Sequence, residues 1–262
     1  MPHNFYLRFA RNLKIFIKIL FCNGSLIDFS FDLCYYFLIH NAHLKTKLTQ
    51  KQGKNMEQKI HTWLSDKSSF FIATIFICVF VLLYVTTNRI PTFYGPFELP
   101  KLFYEDQIPL IPETTLVYLS LFLYVVISSL LLPRHSLNQA AIIFMYILIF
   151  HTLVFIFFPT IYPRSELAGQ TGIFNWIMNA IHTLDAPRNC FPSLHVSLPF
   201  TLAFVWKKID KRVGNIFIFW SILIAISTLT TKQHYILDVF GAIFISFVLV
   251  KIKFKNPQPS FL

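Results

Sequence analysis

The sequence predicts an all-α, polytopic membrane protein: a six-transmembrane-helix bundle with its functional site at the extracytoplasmic face. Three observations predict it. Hydrophobic residues make up 55% of the 262 residues and charged residues only 13%, about half the charged share of a soluble domain. Long apolar runs recur from Phe70 onward, separated by short polar segments. Two histidine-bearing segments, around His195 and His234, each stand at the mouth of an apolar run. A soluble domain of this length has no room to bury so many apolar runs.

Residues 1–55 come first and differ from the rest. Eight Lys and Arg against two Asp leave them at +6, and their apolar runs (Ile15–Cys22, Tyr35–Ile39) are short and broken by Lys18, Asn23-Gly24-Ser25, Asp28 and Asp32. A span needs about 20 mostly apolar residues, so no span is predicted here. Arg8 and Arg11 before Ile15–Cys22 resemble a signal peptide whose core Lys18 interrupts. Met56 reads as the start of the protein proper, with 1–55 a basic extension upstream of it and 56–262 the membrane domain.

The expected spans are Phe70–Thr87, Thr115–Leu132, Asn138–Phe158, Leu194–Trp206, Asn215–Leu229 and Ile236–Val250. The last three are short for about 30 Å of hydrocarbon, so tilt or helical continuation into the interface must supply the difference. Tyr84, Tyr118, Tyr162, Trp206, Trp220 and Tyr235 stand near span ends and read as an interfacial aromatic belt. Pro109 and Pro112 make the approach to the second span extended. Between spans three and four, Ile173–Leu184 carries its apolar residues at helical spacing and is expected to lie on the membrane surface as a lip over the site or a brace.

Loop charges orient the bundle. Lys207-Lys208-Ile209-Asp210-Lys211-Arg212, the Lys251/Lys253/Lys255 tail and Arg134 fall on one side if six spans are counted. The loop 88–113 on the other side carries Glu98, Glu105, Asp106 and Glu113 against Arg89 and Lys101. The positive-inside rule makes the basic side and both termini cytoplasmic. The expected location is therefore integral and multi-pass, in a bacterial-type inner membrane or its equivalent. The net charge of +11 is explained by this bias. No nucleic-acid partner is expected, because no basic stripe lies on a polar element.

His182, His195 and His234 fall on the outer side, and the last two stand beside the span mouths. His234 and Asp238 are four apart, so on a helix they share a face. A carboxylate beside an imidazole fixes its tautomer, leaving the other ring nitrogen as a nucleophile suited to phosphorus. Pro192-Ser193 suits the start of the fourth helix. The Ser193 hydroxyl and first-turn amides make an anion site there, and His195 can protonate a leaving alkoxide. Arg164, Arg188 and Lys232 lie nearby as phosphate-binding cations. The four cysteines show no CxxC pair, and no His/Cys or Asp/Glu set has the spacing of a metal site. No metal or cofactor is expected, and fixed cations must carry the electrostatic load. Each motif alone has a plainer explanation: Pro-Ser as a helix cap, His-x-x-x-Asp as a buried hydrogen-bonded pair.

Asn189-Cys190-Phe191-Pro192-Ser193-Leu194-His195-Val196 and Ser227 to Gly241 resemble the second and third signature motifs of the type 2 phosphatidic acid phosphatase superfamily. Their wording, with Ile108–Pro112 and Tyr118-Leu119-Ser120, is most similar to the branch that includes inositol phosphorylceramide synthase, and the resemblance covers roughly residues 66–253. It implies a six-helix bundle acting on a membrane lipid phosphate without a metal. His234 would form a phosphohistidine, Asp238 would orient it, His195 would protonate the leaving group and Ser193 would bind phosphate. Hydrolysis by water and transfer to an alcohol both remain open, with hydrolysis preferred. Two departures stand out. Ser227-Thr228 replaces the Ser-Arg that opens the third motif elsewhere in the superfamily, so Lys232 is expected to substitute. The first motif, a lysine followed six residues later by Arg-Pro, is absent, and Tyr162-Pro163-Arg164 is its nearest counterpart. Outside enzymes, polar residues at span ends also suit a transporter, and the missing arginine suits an inactive scaffold.

Overall fold

The computed structural model describes residues 59, 69–89, 96–102, 104–164 and 172–255. The chain divides into two units, Met1–Trp63 and Leu64–Leu262. All but Lys59 of the first lies outside the described residues, and so does the expected basic extension 1–55. Seven α-helices are described in the second unit: α1 Ser69–Arg89, α2 Thr115–Leu131, α3 Arg134–Phe157, α4 Ile173–Leu184, α5 Leu194–Ile209, α6 Lys211–Thr230 and α7 Ile236–Lys253. Short parallel strands β1 (Phe97–Glu98) and β2 (Thr160–Ile161) pair Phe97 with Thr160 and Glu98 with Ile161.

Among the described residues three helical stretches are long and apolar enough to cross a membrane: Pro112–Leu131, Arg134–Phe157 and Lys211–Thr230. Their apolar outer faces fit a membrane protein. On α7, Phe240, Phe244 and Phe247 are exposed as one stripe at helical spacing. On α6, Ile216, Phe219, Leu223 and Ile226 form another.

Several helices run further than the hydropathy pattern predicts. α3 begins at Arg134 rather than Asn138, because Leu132 before Pro133 is held extended and Pro133 serves as N-cap. α6 begins at Lys211, capped by Asp210, whose Oδ1 accepts from Arg212 N at 2.7 Å and Val213 N at 3.0 Å. α5 extends to Ile209 and α7 to Lys253. The extra turns are basic, so hydropathy misses them while the backbone continues. The 20 residues of α6 then measure about 30 Å, and the 16 of α5 about 24 Å. Gly214 makes the tight α5–α6 hairpin possible, since a Cβ there would stand 2.5 Å from Lys207 Cα.

α5 is the central helix, packed against α2, α3, α6 and α7, and it is buried almost throughout. In lipid, helix association rests on close packing and cross-helix hydrogen bonds rather than on the hydrophobic effect. Both are present. Val196 and Phe200 of α5 pack with Ala225 of α6 and with Val239 and Ala242 of α7. His151 of α3 donates from Nδ1 to Ile147 O at 2.8 Å, and its Nε2 accepts from Ser197 Oγ at 3.0 Å. Ser246 Oγ of α7 donates to Ser197 O at 2.9 Å. These bonds pin three helices within one turn of His195, so the mouth of α5 is set on a fixed base.

The expected aromatic belt is largely a core instead. Tyr118, Tyr162, Trp206 and Tyr235 are buried within the protein. Trp206 Nε1 donates to Ser128 Oγ at 2.9 Å, which is how a buried indole avoids an unpaired N–H. Proximity to a span end predicts an interfacial position only when the ring faces lipid; Tyr118 and Trp206 face neighbouring helices, and Tyr162 and Tyr235 pack on each other and Cys190.

Candidate active site

The mouths of α5 and α7 meet through the backbone. The Ser193 amide donates to the Asp238 carbonyl at 3.2 Å, and Gly241 of α7 lies so close to Phe191 that a Cβ would approach its ring to 2.7 Å. The two sequence motifs are therefore one structural unit. Ser193 is the N-cap of α5. Tyr235 is the N-cap of α7, and Asp238 Oδ2 accepts from its amide at 2.8 Å. Glu105 reaches over from the loop before α2, its Oε1 accepting from Ile236 N at 2.6 Å. Two carboxylates thus serve amides that the first turn of α7 leaves without helical partners.

On this frame His234 Nδ1 lies 3.2 Å from Asp238 Oδ2. A carboxylate accepts, so Nδ1 carries the proton and Nε2 keeps its lone pair. Nε2 has no hydrogen-bond partner among the described residues. The His195 ring stands with its centroid 5.8 Å from that of His234. Its Nε2 lies 2.7 Å from Tyr118 Oη, and Tyr84 and Phe80 contact it edge-on, at 5.5 and 5.8 Å between centroids. Ser193 Oγ, His195 Nδ1 and Asp238 Oδ1 are buried with no hydrogen-bond partner. Unpaired buried polar atoms are costly. Their concentration at one pair of helix mouths suits a polar ligand that supplies the missing bonds.

The expected cations divide. Arg164 joins the histidine pair. Its Nη2 donates to Gln233 Oε1, beside His234, at 3.0 Å and to Asp185 Oδ2 at 2.9 Å, while Nη1 donates to His182 O at 3.0 Å and Asp185 O at 2.5 Å. Lys232 does not join it. With φ at 54° the chain turns there and sends Nζ to Ile108 O at 2.5 Å. Burial pushes its pKa down, while Asp106, in the loop before α2, pulls it back up. Arg188 pairs by backbone with Ile161, and its guanidinium forms no hydrogen bond or ion pair with the described residues. Of the first-turn amides expected to hold an anion, that of Ser193 is already taken by Asp238.

Sequence reasoning missed Asp185 and the site-facing placement of Tyr84 and Tyr118. Tyr84 Oη donates to Asp185 Oδ1 at 2.9 Å, so one carboxylate joins Arg164 to a ring packed on His195. Burial pushes the Asp185 pKa up and Arg164 draws it back down. The pKa of His182, whose carbonyl Arg164 holds, falls to about 4, first from burial and then from that guanidinium. A sequence signal existed for Asp185: a lone carboxylate closing an amphipathic helix beside a span mouth. Cys190, which stands in no metal-site spacing in the sequence, lies against Tyr162 and Tyr235. Its sulfur and donor atoms of His234 and Asp238 all fall within 4.8 Å of one another.

The arrangement sets a guanidinium on the residue beside His234, a ring nitrogen without a partner among the described residues, and a second imidazole 5.8 Å away between ring centroids. A comparison with curated proteins returns no match. A family model described as the PAP2 superfamily matches residues 113–252, a stretch that runs from the turn before α2 almost to the end of α7 and includes both histidine motifs. By that match the chain belongs to the PAP2 superfamily, the type 2 phosphatidic acid phosphatases.

Proposed function

We propose that the protein is a metal-independent, six-span membrane phosphatase that hydrolyses a lipid phosphomonoester or diphosphate at the extracytoplasmic face. Membership of the superfamily supports phosphatase- or phosphotransferase-type chemistry. The observation that carries the finer assignment is the His234–Asp238 bond at 3.2 Å beside an unengaged Nε2. In the proposed cycle Nε2 attacks the terminal phosphorus and its P–O bond to the lipid-bearing leaving group breaks. His195, protonated, holds Tyr118 Oη through Nε2–H and gives its Nδ1 proton to the leaving oxygen, that of the lipid alkoxide for a monoester or of the lipid phosphate for a diphosphate. Neutral His195 then takes a proton from water as water attacks the phosphohistidine, releasing phosphate. Arg164 neutralises the equatorial oxygens and Ser193 Oγ donates to one of them. Arg188 supplies outlying charge, and Lys232 can contribute only by leaving Ile108.

Six spans follow if α1, α5 and α7 also cross, with the basic turns of α5, α6 and α7 in the cytoplasmic interface. Transfer to an alcohol is the second reading. The motif wording similar to inositol phosphorylceramide synthase favours it, and the phosphohistidine would be common to both. The deciding experiment is phosphate release by the purified chain from a panel of lipid phosphates in EDTA. Release that EDTA leaves unchanged supports the hydrolase. No phosphate release from any lipid, with a phosphorylated alcohol and a dephosphorylated lipid formed once an acceptor alcohol is added, supports the transferase, and release abolished by EDTA ends the metal-independent assignment.

Tyr118→Phe tests the acid. It removes the hydroxyl that holds His195 Nε2 and leaves the nucleophile alone. Roughly a tenfold fall in kcat with KM nearly unchanged is expected, a part of the 10²–10⁴-fold that a positioned acid contributes. An unchanged kcat would remove Tyr118 from the proton path.

A further inference from the structure

We propose that Cys190, His234 and Asp238 form a binding site for a soft divalent cation such as Zn²⁺, and that an ion held there shuts the enzyme off. The inhibitory half of this rests on the phosphatase reading above; the binding half does not.

Thiolate, imidazole and carboxylate are the three donor types that zinc takes, at about 2.0–2.3 Å. One donor atom from each residue lies within 4.8 Å of the others. Ligands of a tetrahedral ion sit about 3.3–3.7 Å apart at those bond lengths, and His234 Nδ1 and Asp238 Oδ2 are already 3.2 Å apart. The sulfur therefore has to close only a small gap. All three side chains are buried: Cys190 is 2%, His234 4% and Asp238 0% exposed. Asp238 Oδ1 has no hydrogen-bond partner, and Cys190 Sγ has a 3.9 Å contact with Pro187 O and a hydrogen bond from the Tyr162 backbone. A carboxylate oxygen is thus uncommitted beside the histidine, and the sulfur is held only by weak contacts that a metal bond outweighs. A fourth position is left for water.

The proton balance explains the inhibition. Binding releases the thiol proton to solvent. If the ion takes His234 through Nδ1, the ring proton moves to Nε2, and the lone pair that attacks phosphorus is gone. If it takes Nε2, that lone pair is occupied directly. Neither route needs an oxidant or reductant. Without the ion, burial and the neighbouring Asp238 and Asp185 carboxylates hold the Cys190 thiol protonated. It then takes no part in the proposed cycle, so Cys190→Ser is expected to leave basal turnover unchanged.

The test uses the full chain in detergent with Co²⁺ as the spectroscopic probe. Wild type and Cys78→Ser are expected to show thiolate-to-cobalt charge-transfer absorbance that Zn²⁺ displaces, and Cys190→Ser to show none. Zn²⁺ should inhibit phosphate release by the wild type. Half-inhibition of Cys190→Ser should need about tenfold more Zn²⁺ or beyond, since losing even an outer partner of a metal ligand costs about 10- to 100-fold in affinity. If Cys190→Ser loses basal turnover, Cys190→Ala takes its place. Absence of the band in wild type, its persistence in Cys190→Ser, or equal Zn²⁺ sensitivity of the two proteins overturns the site. The cobalt band needs no turnover, so a chain that shows it but hydrolyses nothing keeps the site and loses only the phosphatase reading.

Discussion

His234→Ala is expected to lower phosphate release by about 10⁴-fold or more, the scale seen when a nucleophile is removed from a unit that works together. The variant should still fold. Asp238 keeps the Tyr235 amide on Oδ2 at 2.8 Å, and the Ser193–Asp238 backbone bond does not involve the lost ring. His234→Gln sharpens the test, because its amide N–H can still donate to Asp238 while offering no nucleophilic nitrogen. Both variants should be equally inactive. Neither should accumulate the acid-labile phosphoprotein expected when wild type is quenched in base during turnover. A glutamine variant that retains a substantial fraction of wild-type turnover would show that water attacks directly and that no phosphohistidine forms.

The residues legible in the sequence are those whose partners are close in the chain. Ser193 and His195 start one helix; His234 and Asp238 are four apart at the start of another. Local spacing alone therefore brought out the proposed nucleophile, the carboxylate bonded to it and the second imidazole. Tyr118 meets His195 across 77 positions and Tyr84 meets Asp185 across 101. Such pairs depend on how α1 and α2 pack, which no local pattern encodes. Lys232 shows a different failure. Its position beside His234 is right, but the left-handed turn at that residue sends the side chain to Ile108, and one backbone dihedral decides this. The helices were legible over their apolar lengths and illegible at their basic ends, where hydropathy falls although the hydrogen-bonded backbone does not. The helix Ile173–Leu184 was legible because apolar spacing set both of its ends.

Arg164→Ala is expected to reduce turnover by about 10²–10³-fold, the usual cost of removing one donor that faces developing charge. Two effects are mixed in that number. The guanidinium faces the proposed phosphate position, and it also neutralises Asp185, with side chains only 12% and 16% exposed. Removing one partner of a buried pair costs about 3–5 kcal/mol, and the residual exposure puts this pair toward the lower end. The double variant Arg164→Ala/Asp185→Asn separates them. It removes the stranded carboxylate, so thermal stability should return toward wild type while activity stays low. Arg164→Lys keeps a charge but loses the fork that reaches Asp185 and Gln233 together, so it should recover part of the turnover and little of the stability. If the double variant regains activity along with stability, Arg164 is a buttress for the loop that holds Asp185. The phosphate charge would then have to come from Arg188, whose guanidinium is uncommitted among the described residues. Stability restored without activity leaves the guanidinium on the substrate, in the place of the arginine that Thr228 cannot supply.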